Sequence, residues 1–187
     1  MFFGQKIIPA IRSMKDFEKM LDLPCPCAIL LEVHLGLIGA VVRQSRRKGK
    51  KLFLHLDLIR GLSPDEAATD YICREFDPYG IVSTRAQVIM RAKQRGKKTI
   101  QRAFIIDSNA MKKSVQLIQK TDPDMVEVLP GLIPKVISRL KELTGKGIVA
   151  GGLIESEDEV IRALQAGADA VTTSNSSLWN LISLKEF

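Results

Sequence analysis

Eight short apolar runs rich in Val, Ile and Leu recur along the chain, and a stretch with helical periodicity or helix punctuation follows each of them. The runs cover 7–11, 28–33, 52–58, 80–84, 99–106, 125–129, 148–152 and 170–174. Their length is that of a strand, and their near-continuous hydrophobicity is that of strands covered on both faces. Ser13, then Ser63 with Pro64 at the first helical position, then Ser156 with Glu159 three residues on, each predict a helix start. Gly49, Gly96, Gly145 and Gly167 stand where helices must stop.

Strand and helix alternating eight times imply a parallel sheet with helical crossovers. The simplest closure is a TIM-type (β/α)8 barrel, expected here as a single domain over residues 1–187. At about 23 residues per unit, the chain falls short of the roughly 250 residues of a typical barrel, so loops must be very short or some helices degenerate. An open doubly wound sheet is the alternative.

Composition narrows the class. Hydrophobic residues at 45% with 26% charged residues exclude a disordered chain. No segment reaches the roughly 18–20 apolar residues of a membrane span, and Gln5 and Lys6 break the apolar start too early for a signal peptide, so a cytoplasmic protein is expected. Cys25, Cys27 and Cys73 are odd in number and lack a zinc-ligand pattern; they read as small buried hydrophobes. A net charge of +7 favours polyanions or anionic metabolites as partners.

In such a barrel, ligands sit where strands end. Gly151 and Gly152 close the seventh run; Thr173 and Ser174 close the eighth and open a short helix around Leu178 and Trp179. Glycines let backbone approach an anion, and a helix start offers free amides, so these four residues are expected to hold a phosphate. Glu32, Asp57, Arg102 and Glu127 interrupt apolar runs. Buried charge is costly unless paired, so they are expected to reach into the same pocket, Arg102 against Glu127 and Glu32 near Asp57. The carboxylates suit ligand hydroxyls, Mg²⁺ or acid–base chemistry; an internal network with Arg12, Arg85 or Arg102 competes with all three. His34 and His55, the two histidines, flank the same carboxylates. No lysine lies in the C-terminal half of a run, which argues against a Schiff-base aldolase, and no nucleophile elbow or Walker loop is present.

The ordered set Ile8-Pro9-Ala10-Ile11-Arg12, His55-Leu56-Asp57-Leu58-Ile59, Ser83-Thr84-Arg85, Glu127-Val128-Leu129-Pro130-Gly131, Ala150-Gly151-Gly152-Leu153-Ile154 and Ala170-Val171-Thr172-Thr173-Ser174 resembles the glycerol-uptake operon antiterminator family over nearly the whole chain. The resemblance implies a bacterial regulator, not an enzyme, that responds to glycerol 3-phosphate and acts on the leader mRNA of glycerol-catabolism genes. Glycerol 3-phosphate is then an effector, with no catalytic residue and no cofactor expected, while Mg²⁺ at Glu32 and Asp57 stays open. Its phosphate would lie on Gly151, Gly152, Thr173 and Ser174, and its glycerol end among Glu32, Asp57, Arg102, Glu127, Arg12 and His55. For RNA, the candidates are Arg46, Arg47, Lys50, Lys51, Arg95, Lys97 and Lys98, which precede strands and map to the opposite end of the barrel. Plain helix capping by basic side chains competes with that role. With 5% aromatic residues, no stacking platform for bases is evident. Two other classes remain open: a metal-dependent phosphate-ester or sugar-phosphate enzyme using Glu32, Asp57, His34 and His55, and a ligand-gated scaffold for protein partners. The sequence does not set the oligomeric state; a homo-oligomer is compatible with it.

Overall fold

Eight parallel strands close into a barrel in the computed structural model, which describes residues 1–183. In chain order they are β1 (Ile7–Ile11), β2 (Cys27–Leu30), β3 (Lys51–His55), β4 (Gly80–Ser83), β5 (Lys98–Phe104), β6 (Met125–Leu129), β7 (Gly147–Gly151) and β8 (Ala170–Thr173). Each pairs with its sequence neighbours, and β1 closes on β8 through Ile7–Val171, Ile8–Thr172 and Pro9–Thr173. Seven α-helices fill the crossovers: α1 (Met14–Leu21), α2 (Ile38–Arg47), α3 (Glu66–Glu75), α4 (Ala86–Gln94), α5 (Ser108–Thr121), α6 (Pro134–Thr144) and α7 (Glu157–Gln165). The eighth is only a 3₁₀ helix, Leu178–Ser183. The chain fits a barrel into its short length by this means and by helices of 8–14 residues. Residues 184–187, included in the expected 1–187 domain, lie outside the described residues.

Alternating side chains divide the apolar residues into two layers. Ile8, Ile29, Phe53, Val82, Ile100, Val149 and Ala170 fill the barrel interior, while Ile7, Leu54, Ile81, Val126, Ile148 and Val171 meet the helices. Gly80 makes room for the Phe53 ring, since a Cβ there would collide with it and lie 2.6 Å from the Lys98 carbonyl oxygen. Phe2 and Tyr79 pack on Phe53 at 5.8 and 5.2 Å between centroids and plug the N-terminal end.

The helix signals hold with one shift. Ser13 accepts a hydrogen bond from the Asp16 amide, and Ser156 and Glu159 form a capping box. The start expected at Ser63 lies two residues later: Asp65 caps α3, its carboxylate accepting from the Ala68 amide at 2.8 Å. An ionised acceptor at the positive helix end outcompetes the serine hydroxyl. All three cysteines are free and buried, and burial pushes the Cys27 and Cys73 thiols up to about 11.

Candidate functional site

Two expected strand residues lie beyond the strands. β2 ends at Leu30, so Glu32 sits in the loop after it, and β3 ends at His55, so Asp57 sits in the 3₁₀ turn Leu56–Leu58. The sequence stays apolar there because Val33 is buried in a separate two-residue parallel ladder with Ile59, and Leu56 is buried in its 3₁₀ turn, not because the barrel ladder continues. Both carboxylates therefore stand at the C-terminal mouth, but apart in function. Glu32 is held by the Arg12 guanidinium at 2.9 Å and by Arg60 at 3.5 Å, and the Arg12 hydrogen bond holds its carboxyl below the usual range. Asp57 accepts from the Ser83 hydroxyl at 2.5 Å and from the Thr84 amide and hydroxyl at 2.7 Å each. One carboxylate faces two guanidiniums and the other already accepts from three donors, a poor pair for a divalent cation. Among the described residues, no group of three or more His, Cys, Asp or Glu side chains is placed to hold a metal.

The charged centre of the mouth lies on β5, β6 and β8. Arg102 and Glu127 are register partners, and Arg102 Nε donates to Glu127 Oε2 at 2.7 Å. Glu127 is 2% exposed and the Arg102 side chain 11%. Glu127 Oε1 accepts from the Thr172 hydroxyl at 2.7 Å, reaching across β7 to do so. Gly151 makes that reach feasible: a Cβ there would strike Thr172 Oγ1 and lie 2.8 Å from Glu127 Oε1.

His55 ends β3 inside the same mouth, 2% exposed, and neither ring nitrogen has a hydrogen-bond partner. Burial first, and then the Arg102 charge, push its pKa down to about 4, against the opposing pull of Asp57 and Glu127. The imidazole is therefore neutral near pH 7. Arg102 bonds only through Nε among the described residues, which leaves its two terminal nitrogens for a ligand. A buried imidazole and a buried guanidinium with unused hydrogen-bonding capacity side by side are what a small polar ligand would satisfy.

The structure parts the two histidines. His34 is exposed; its Nδ1 accepts from the Gly36 amide at 3.2 Å, and it faces a groove that also borders Arg43 and Tyr71 between α2 and α3. The four residues of the enzyme alternative, Glu32, Asp57, His34 and His55, are thus not one constellation. Arg85 is exposed and is bound through its amide to Ser83 Oγ.

The phosphate candidates sit on two adjacent loops. Gly152 has φ +76° and Leu153 φ +63°, so the turn after β7 is left-handed twice. Ser174 is exposed. The Thr173 hydroxyl faces away from the interior, donating to the Ile154 carbonyl at 2.8 Å and accepting from the Asn175 amide at 3.0 Å. It shapes the loop, whereas its neighbour Thr172 faces the pocket. Thr172 was missed at the sequence level, although Glu127 and Thr172 share the inward phase of their strands.

The basic residues do map to the N-terminal end, where carboxylates meet most of them. Asp77 pairs with Arg46 and Lys97, Asp70 with Arg95 at 2.7 Å and with Arg91, and Asp124 with Lys98 at 3.0 Å. Lys50 donates to the Leu23 and Cys25 carbonyl oxygens, and the Lys51 ammonium lies over Phe3 at 3.7 Å. Of the seven RNA candidates, Arg47 alone has no such contact among the described residues.

Comparison with known proteins places this geometry. The model of the family described as glycerol-3-phosphate responsive antiterminator matches residues 7–179. A glycerol uptake operon antiterminator regulatory protein from Listeria monocytogenes superposes with a TM-score of 0.92 at 46% identity, over 95% of this chain and 96% of that one. An antiterminator-related protein from Thermotoga maritima gives 0.83 at 28% identity, over 96% and 99%. The Escherichia coli K12 protein YgcP is 30% identical over 175 residues, 94% of this chain and 92% of its own. With the family's pattern running from the first strand to the final 3₁₀ helix of a closed β/α barrel, the chain belongs to the glycerol-3-phosphate responsive antiterminator family.

Proposed function

We propose that this protein binds glycerol 3-phosphate at the C-terminal mouth of its barrel without converting it, and that occupancy controls binding to the leader mRNA of glycerol-catabolism genes. The observation that carries the ligand site is the buried His55 ring, with neither nitrogen partnered, in the same mouth as Arg102, whose terminal nitrogens make no hydrogen bond among the described residues, where β/α barrels hold their ligands. Arg102 and the loops at Gly151–Gly152 and Thr173–Ser174 supply positive potential and backbone for the phosphate. The neutral His55 ring, Asp57 and Glu127 supply acceptors and donors for the two hydroxyls, and the Arg12–Glu32 pair borders the rim. At the mouth Arg102 is engaged by Glu127, and Arg12 and Arg60 by Glu32. Within the strands lysine occurs only as Lys51 and Lys98, which open β3 and β5 at the opposite end and so are not placed for a Schiff-base role.

RNA contact is assigned to the N-terminal face, with Arg47 as the side chain ready to meet a phosphate. Contact by Arg46, Arg95, Lys97 or Lys98 would exchange an existing ion pair for a phosphate, so their net contribution is small. Isothermal titration with glycerol 3-phosphate, beside a product assay on the same preparation, tests the reading. Saturable binding with unchanged ligand recovered is expected. Turnover of the ligand would return the protein to the enzymes.

A further inference from the structure

One side of the barrel carries an apolar groove that the ligand site does not use. It runs between α5 and α6 with a volume of about 410 Å³, lined by Ile105, Ile106, Met111, Ile133, Val136 and Leu143. Ile137 and Leu140 turn the core face of α6 inward, so Ile133, Val136 and Leu143 form a second apolar stripe. Ile106 is 83% exposed. Isolated surface hydrophobes need no account, but a contiguous apolar groove marks an interaction surface. Its rim is cationic on balance: Lys112 and Lys135 have no carboxylate partner among the described residues, Arg139 holds Glu142, and the one acid of the lining, Asp107, is turned to the Ala110 amide as the cap of α5.

The complementary feature lies past α6 on the same end of the barrel. Leu153 is 68% exposed and sits at φ +63°, a left-handed conformation that costs a branched side chain free energy. It is not loose. Ile154 behind it is buried and accepts the Thr173 hydroxyl bond, and the Glu155 and Ser156 amides both donate to Glu159, at 2.7 and 3.0 Å. A rigid turn thus holds an apolar knob in water. Glu155 and Glu157 flank it, exposed and without a cationic partner among the described residues.

We propose that two copies of this chain associate through this side, Leu153 of each entering the α5–α6 groove of the other while Glu155 and Glu157 meet Lys112 and Lys135. Knob and groove lie on either side of α6, so a two-fold axis across that helix satisfies both at once and closes the assembly as a dimer. Apolar knob matches apolar groove, and acid matches base, in a chain whose net charge of +7 otherwise opposes self-association.

Sedimentation equilibrium of the full chain over a wide concentration range tests this, independently of any ligand response. A monomer–dimer equilibrium is expected. Leu153→Asp and Val136→Glu should each raise the dimer dissociation constant by about 100- to 10,000-fold, since each removes two symmetry-related buried aliphatic contacts. Lys112→Glu with Lys135→Glu should weaken the dimer, and adding Glu155→Lys with Glu157→Lys should restore it. Unchanged urea midpoints identify variants that remain folded; because the charge exchange restores rather than removes, its success cannot come from misfolding. A monomer at every soluble concentration overturns the proposal and leaves the groove to a different partner. A dimer indifferent to these substitutions overturns it equally, because its interface lies elsewhere.

Discussion

His55 is a deeply buried imidazole at the mouth of the barrel. Its ring has no protein partner and a folded pKa of about 4, against about 6.5 in the unfolded chain. The folded state resists protonation, so below pH 6.5 the unfolded state binds the extra proton first. Stability from this group is complete above about pH 6.5 and is lost as pH falls toward 4, a decline on the order of 3 kcal/mol. Urea midpoints of the wild type and of His55→Gln between pH 7.5 and 4.5 check this. The wild type should lose more stability than the variant across that window; parallel curves would mean that the ring is solvated. The Arg102–Glu127 pair was legible in advance because charged residues in buried strands must find each other, and the two stand on consecutive strands. Thr172 was not legible, since single-sequence patterning does not reveal which of two adjacent threonines faces inward.

At the scale of elements, the loops carry what the strands leave open. The apolar runs located all eight strands because a parallel strand is buried on both faces. The same signal overran the ends of β2 and β3, where Val33 and Leu56 stay buried after the ladder stops. Asp57 gains its role from that overrun: the turn after β3 swings its carboxylate onto the end of β4, where Ser83 and Thr84 supply three donors. This clamp fixes one edge of the mouth. Asp57→Ala removes the acceptor and leaves the partly buried Thr84 amide unpaired, at a cost of about 1–3 kcal/mol. Thermal unfolding and glycerol 3-phosphate titration of the same variant should show lower stability together with weaker binding. Lower stability with unchanged affinity would confine Asp57 to a structural clamp. Glycine at 151 was read as space for an anion; what the structure shows there is space for the Glu127–Thr172 contact, a long-range demand that no local pattern announces.

At the scale of the molecule, the two ends of the barrel differ in how their charges are used. The N-terminal end is a ring of compensated pairs. Asp22 takes Lys48, Asp77 takes Arg46 and Lys97, Asp122 takes Lys93 and Lys146, and Asp169 takes Lys141. The basic clusters read as an RNA footprint from sequence because their acidic partners are distant in the chain: Asp77 lies 31 residues from Arg46 and Asp122 lies 29 from Lys93. Closing the barrel brings them together, and the cations left over are fewer than composition implies. The C-terminal mouth instead keeps unused hydrogen-bonding capacity, at the Arg102 terminal nitrogens and the His55 ring. Communication between the two ends requires that glycerol 3-phosphate favour the state with the higher RNA affinity.

The direct test is a filter-binding titration of leader RNA at several salt concentrations, with and without saturating glycerol 3-phosphate. The account predicts affinity tighter by about 5- to 150-fold with the ligand present. It also predicts a logarithmic salt slope that Arg47→Ala reduces by about one. RNA affinity that is the same with and without ligand would contradict it.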